Sequence, residues 1–177
     1  MSTSQTLAAS ELHEALDRLA SGIRARHGQK PKVLLLGIAN GGLEVNRRLA
    51  ERLGAPSGTL DISFHRDDIG QNPIPKEFAH TMIPQDVSGA TVILVDDVLF
   101  SGRTVKAALD ELFDHGRPNA VELAVLIDRG GRRLPFAPDY CGLKIAAAPD
   151  EKVVVLLDRD DPARDTARVV RPKPSRA

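Results

Sequence analysis

The chain has 177 residues, 42% of them hydrophobic, and its 24 basic and 24 acidic residues cancel to zero net charge. That balance, with aromatic residues at only 3%, argues against a generic polyanion binder and against a stacking platform for single-stranded nucleic acid. One cysteine, Cys141, excludes an internal disulfide and a multi-cysteine metal site. No apolar run approaches the roughly 20 residues that span a bilayer.

The first ten residues are small and polar and read as a flexible N-terminus without an apolar signal core, which predicts a cytoplasmic location. Leu12, Leu16, Leu19 and Ile23 recur at helical spacing, so 11–26 is predicted as an amphipathic helix. Val33–Leu36 is a continuous apolar run between turn residues, the pattern of a strand buried on both faces. A loop over 37–42 and a helix over 43–53 follow. Leu60, Ile62 and Phe64 alternate with Asp61, Ser63 and His65, which predicts a half-buried strand. Residues 66–80 read as a long functional loop. Thr91–Val95 is a second buried strand, 104–115 a helix ending near Gly116, and 121–127 and 153–157 further strands. The segment 128–149 breaks the rhythm and is assigned to a small hood. The last stretch, 159–177, has few apolar residues and reads as a disordered tail. Strands alternating with helices predict an α/β fold with a largely parallel sheet, spanning 11–158 as one domain.

The stretch that carries chemistry is VILVDDVLFSGRT, Val92–Thr104. A buried strand delivers adjacent carboxylates, Asp96 and Asp97, then a tight polar turn, then a helix. Ligands of open α/β sheets bind beyond the carboxyl ends of the strands. Carboxylates placed there can accept hydrogen bonds from a sugar diol, and amides at a helix start suit a phosphate. Ser101 and Thr104 add hydroxyls, and Gly102 lets backbone approach closely. The combination fits a ribose 5-phosphate. Neither of the common glycine-rich nucleotide motifs is present.

This motif resembles the phosphoribosyl-pyrophosphate (PRPP) signature of type I phosphoribosyltransferases. GTLDISFHRDD (58–68), GRP (116–118), LAVLIDRGGRRLP (123–135), DYCG (139–142) and EKVVVLL (151–157) are similar to the PyrR family, over about Leu12 to Asp158. The resemblance implies the type I phosphoribosyltransferase fold with a small hood. It implies uracil phosphoribosyltransferase activity, converting uracil and PRPP to UMP and pyrophosphate. It also implies regulation of pyrimidine-biosynthesis genes, in many members through an mRNA leader, and a homo-oligomer. Asp96 and Asp97 are implied to hold the ribose hydroxyls, and Leu99, Phe100, Ser101, Gly102, Arg103 and Thr104 to wrap the 5-phosphate. Asn40 and Gly41 fall in the pyrophosphate loop, where many members carry Lys-Thr-Arg-Gly and this chain has Ala39-Asn40-Gly41-Gly42. Arg66 is the implied cation for the leaving pyrophosphate, with Asp67 and Asp68 beside it. Mg²⁺ is expected to arrive with PRPP, with no dedicated protein metal cage. Purine-using relatives have an acidic residue where this chain has Phe100, and no general base is evident. Arg129 has two readings, contact with uracil or the nucleotide phosphate, and an ion pair with Asp128. For an RNA face the resemblance points to Arg18, Arg24, Arg132 and Arg133, with Gly131 in place of the family's histidine. A catalytically weak nucleotide sensor that binds leader RNA stands as the alternative.

Overall fold

Two kinds of apolar pattern sort the chain into two sheets. The computed structural model describes residues 5–29, 32–65 and 80–171. In chain order its elements are β1 (Thr6–Leu7), α1 (Ala9–His27), β2 (Leu34–Ile38), α2 (Gly42–Leu53), β3 (Ser57–Leu60), β4 (Thr91–Leu99), α3 (Arg103–Asp114), β5 (Ala120–Asp128), β6 (Tyr140–Lys144), β7 (Lys152–Leu156), a 3₁₀ turn (Pro162–Arg164) and β8 (Thr166–Val170).

The continuous runs build a five-stranded sheet of order β3-β2-β4-β5-β6, with every pair parallel. Both faces are covered, which is why β2 and β4 show no polar alternation. Leu35, Ile93, Val95 and Leu126 pack with the apolar stripes of α1 and α2. Leu34, Leu36, Leu94 and Val125 point the other way, toward Val105, Ala108 and Leu112 of α3. The chain runs outward from β2 to β3 on one side and from β4 to β5 and β6 on the other. The strand order therefore reverses between β2 and β4, and the crevice opens beyond their carboxyl ends.

Strands whose burial alternates build an antiparallel sheet of order β1-β8-β7, β7 among them although its Val153–Leu156 are apolar throughout. In β8, Ala167 and Val169 are buried while Arg168 is exposed. This small sheet seals the end of the first core, where Leu7, Ala167 and Val169 join Ile145 and the α1 residues.

Three expectations need correction. The strand over residues 60–65 stops at Leu60. The Asp61 carboxylate accepts from the Ser63 amide at 2.9 Å and the Ser63 hydroxyl at 2.5 Å, and the His65 amide donates to Ile62 O at 3.0 Å. Side-chain bonds of this kind compete with a sheet ladder, and Phe64 is left 73% exposed. The second is the hood, expected over 128–149. It is instead the β1-β8-β7 sheet, while β6 within that segment extends the parallel sheet through its pairing with β5. The third is the tail expected over 159–177, whose described part, as far as residue 171, forms β8 and its preceding 3₁₀ turn. It is held because Asp165, 1% exposed, accepts from Arg48, from His13 Nε2 at 2.9 Å and from the Asp158 amide at 2.8 Å. Among the described residues, no helix is long and apolar enough to cross a membrane.

Candidate active site

β4 extends through Asp96 and Asp97 to Leu99, so the paired carboxylates sit on a rigid strand end. Asp96 is 5% exposed. Its Oδ1 accepts the Asp97 amide at 2.9 Å, and Asp97 Oδ1 accepts the Val98 amide at 2.7 Å. Burial, and then the charge of Asp97 beside it, push the Asp96 carboxyl well above the usual carboxylate range. Burial raises Asp97 as well. Local amides give each acid some support, but not enough to offset desolvation.

The turn after β4 is gripped from outside. The Arg129 amide donates to Leu99 O at 3.1 Å, and the Arg133 and Leu134 amides donate to Ser101 O at 3.0 and 2.9 Å. Arg132 Nη1 donates to Phe100 O at 3.0 Å. The carbonyls of three consecutive residues are thus pulled toward 129–134. Because each peptide unit is planar and trans, the amides of Phe100, Ser101 and Gly102 point the opposite way. They join the first turn of α3, whose cap residue Gly102 supplies no side-chain bond and whose first turn has no acidic residue. The result is an anion cradle made of backbone. Arg132 is itself fixed by Asp128, at 2.7 Å. Burial works against the Asp128 charge, yet the Arg132 bond and the Gly130 amide hold its carboxyl below the usual range.

Across the crevice, Ala39–Gly41 connects β2 to α2. A Cβ on Gly41 would stand 2.5 Å from Asp97 Oδ1 and 2.8 Å from Oδ2. The glycine is what lets this loop lie against the carboxylate. The family-typical arginine cannot be accommodated there with Asp97 in its present place. Gly131 has a parallel role. Its φ is +75°, and a Cβ would meet the Phe100 ring at 2.6 Å, so the exchange of histidine for glycine is coupled to this ring's position.

Two cavities flank the strand end. One, of about 490 Å³, is lined by Asn40, Gly41, Glu44, Asp97, Val155–Asp158 and Arg164. The other, of about 300 Å³, is lined by Val98, Phe100, Arg129 and residues 149–153. Successive residues of β4, Asp97 and Val98, therefore face different cavities, and β7 roofs both.

Asn40, Gly41, Asp96, Asp97 and the 99–104 turn gather around one crevice. Arg66, with Asp67 and Asp68, lies outside the described residues. Arg129 lines the smaller cavity and does not form the ion pair with Asp128. It is 7% exposed, donates to Glu151 O at 2.7 Å and Ala148 O at 3.2 Å, and lies 3.9 Å above the Phe100 ring. Asp128 pairs with Arg132 instead. Three of the arginines expected on an RNA face are engaged within the chain. Arg18 donates to Gly142 O at 2.8 Å, Arg24 to Arg52 O, and Arg132 to the phosphate turn. Arg133 is exposed. Sequence reasoning did not find Glu44, nor Leu157 and Asp158 of the hood. Glu44 carries a signal, an acidic residue in the first turn of a helix. The hood residues carry none.

A buried Asp96 beside a half-buried Asp97 at the switch point of a parallel sheet, next to an amide cradle at a helix start, is the arrangement expected of a phosphoribosyltransferase. The phosphoribosyl transferase domain model matches residues 2–160. Among curated proteins, "Bifunctional protein PyrR" of Roseiflexus sp. is 43% identical over 97% of both chains. The protein of that name in Streptomyces coelicolor is 47% identical over 88% of this chain and 83% of its own. The chain belongs to the PyrR family of phosphoribosyltransferases. Solved structures agree on the fold. A hypoxanthine-guanine phosphoribosyltransferase from Bacillus anthracis covers 93% of this chain and 97% of its own, with TM-score 0.67 at 22% identity. Hypoxanthine phosphoribosyltransferase of Trypanosoma cruzi covers 96% and 91%, with TM-score 0.66 at 20% identity.

Proposed function

We propose that this chain transfers the phosphoribosyl group of PRPP to uracil, forming UMP and pyrophosphate, and that it also regulates pyrimidine-biosynthesis genes. The observation that carries the reading is the Asp96–Asp97 pair, one buried and one half-buried, beside the 100–102 amides. The cradle takes the 5-phosphate, and the carboxylates accept from the ribose hydroxyls. The larger cavity, beside Gly41 and Asp97, takes the diphosphate. The smaller one, against Phe100 and Val98, takes the flat base. PRPP enters as its Mg²⁺ complex, and the Asp97 carboxylate at the larger cavity suits a hard cation that keeps much of its water, while Glu44 at the same cavity is held by Arg47 and Arg48.

In the reaction the anomeric carbon gains a bond to uracil nitrogen and loses its bond to the diphosphate oxygen, and the nitrogen gives up its proton. The transition state has sugar-cation character. The protein's part is orientation and electrostatics. Charged Asp96 and Asp97 below the ribose favour developing positive charge. Arg129 is a positioning residue, holding the Phe100 ring against residues 148–151. Arg66 remains the proposed cation for the leaving group. The protein works in the cytoplasm as a homo-oligomer.

A second reading is a nucleotide sensor with weak catalysis that binds the mRNA leader through a face that includes Arg133. It is favoured by Gly41, which leaves the pyrophosphate loop without the family's cation. One experiment separates the two. Purified protein is incubated with labelled uracil, PRPP and Mg²⁺, and UMP is followed, with Asp96→Asn/Asp97→Asn as control. UMP that vanishes in the control supports the enzyme. No UMP from folded protein that still binds UMP supports the sensor.

A further inference from the structure

At the far end of α3, away from the crevice, a histidine meets two carboxylates. Glu111 lies eight residues beyond Arg103, about 12 Å along the helix axis. His65, from the turn after β3, places Nε2 3.1 Å from Glu111 Oε2 and 3.5 Å from Asp114 Oδ2. All three donor atoms lie within 4.8 Å of one another. Glu111 and Asp114, three apart on a helix, share one face. The other Glu111 oxygen is held from behind. Thr81 Oγ1 donates to it at 2.5 Å, and His115 Nε2 stands 3.2 Å away.

Zinc binds imidazole nitrogen and carboxylate oxygen at about 2.0–2.2 Å in tetrahedral geometry. The edges of such a tetrahedron are about 3.3–3.6 Å by the same bond lengths. One donor separation, 3.1 Å, lies just below that range and the other, 3.5 Å, within it, so small rotations of the side chains complete the figure. An imidazole in the set favours a transition metal over Mg²⁺ or Ca²⁺. Thr81 and His115 are the outer partners that orient a ligating carboxylate.

We propose that His65, Glu111 and Asp114 bind one divalent transition-metal ion of the Zn²⁺ class, with solvent in the fourth position. The site is separate from the Mg²⁺ that travels with PRPP and does not depend on the reading of the crevice. Its consequence is mechanical. It ties the residue just before Arg66 to the last turn of α3, so the point where the chain leaves β3 is fixed to a core helix.

The test uses the full chain, stripped with chelator and titrated with Zn²⁺ by calorimetry, and with Co²⁺ by visible absorption. Wild type is expected to take up one equivalent and to give the intense absorption of tetrahedral Co²⁺. His65→Ala and Asp114→Asn are expected to weaken binding at least about tenfold and to lose that absorption. Asp96→Asn is expected to bind as wild type does. The Asp114 side chain is 71% exposed, so Asp114→Asn keeps the fold, and metal-free melting curves confirm it for each variant. No uptake by wild type overturns the proposal, leaving a hydrogen-bonded cluster of His65, Glu111 and Asp114. Equal uptake by wild type, His65→Ala and Asp114→Asn overturns it too, showing metal bound elsewhere.

Discussion

Asp96 and Glu122 are buried to the same depth, each 5% exposed, and they sit on neighbouring strands of one sheet. Their surroundings are opposite. Glu122 accepts from the Tyr140 hydroxyl at 2.6 Å and faces His27 at 2.9 Å and Arg26 at 3.1 Å. Burial alone would raise its carboxyl, but the Tyr140 and His27 bonds and the Arg26 charge hold it below the usual range. Asp96 has a second acid for a neighbour and is driven up. Asp165, with Arg48, His13 and the Asp158 amide around it, belongs with Glu122. Acids that hold the structure together are saturated with partners. The Asp96–Asp97 pair is left short of them, unlike Glu44 at the same crevice, which Arg47 and Arg48 hold, and that shortage is what a site for hydroxyl donors and a cation requires.

Breaking the saturated side should cost the most. Asp165→Ala leaves the guanidinium of Arg48, itself 4% exposed, with Glu44 as its remaining carboxylate and removes the acceptor of His13 and the Asp158 amide; it is expected to lose about 3 kcal/mol in denaturant unfolding. A loss no larger than that of a surface substitution would erase the contrast. Next comes Gly41→Ala. The added Cβ displaces the Asp97 carboxylate, and a misplacement of that size lowers kcat/KM for PRPP by about 10–100-fold, with the melting temperature little changed. If turnover is unaffected, the contact between loop and carboxylate has no role in catalysis.

The last two predictions sharpen the comparison through pH. A carboxyl held low in the folded state contributes stability above its unfolded pKa, and that stability is lost as pH falls through the folded value. Glu122→Gln should therefore flatten the acid limb of the stability profile and cost on the order of 1 kcal/mol at neutral pH. A carboxyl held high does the reverse. The folded state binds the extra proton, so stability declines as pH rises from the ordinary carboxylate range through the raised value. Asp96→Asn should remove that decline and gain on the order of 1 kcal/mol at pH 8, while abolishing activity. A variant less stable than wild type at pH 8 would mean that Asp96 is already compensated.

Much of this arrangement is legible in the sequence because it is local. The runs at Val33 and Thr91, the stripe of Leu12, Leu16, Leu19 and Ile23, and the acid pair before a helix each carry their meaning within a dozen residues. The hood is not local. Ala167 and Val169 alternate as a strand should, but they stand in a stretch whose charge masks them. What orders that stretch is Asp165 reaching Arg48, over a hundred residues back. Phe64 fails for a related reason. Its alternation with Leu60 and Ile62 looks like a strand, and the Asp61 side chain cancels it. The Arg129 outcome turns on Phe100 and the carbonyls of 148 and 151, which no spacing rule connects. The pairing of Asp128 with Arg132, four apart but on a loop, has no helical period to announce it.

The pairing of β1 with β8 has a consequence for how the protein is made. Synthesis is vectorial, and domains take shape as the chain emerges. The five-stranded sheet is complete once Lys144 has appeared, and with it the acid pair and the amide cradle. The roof needs residues 166–170 to come back and pair with Thr6 and Leu7, far earlier in the chain. A nascent chain exposed only as far as residue 150 thus carries a finished floor beneath an open ceiling, and two distant segments of the polypeptide must meet before the crevice is enclosed.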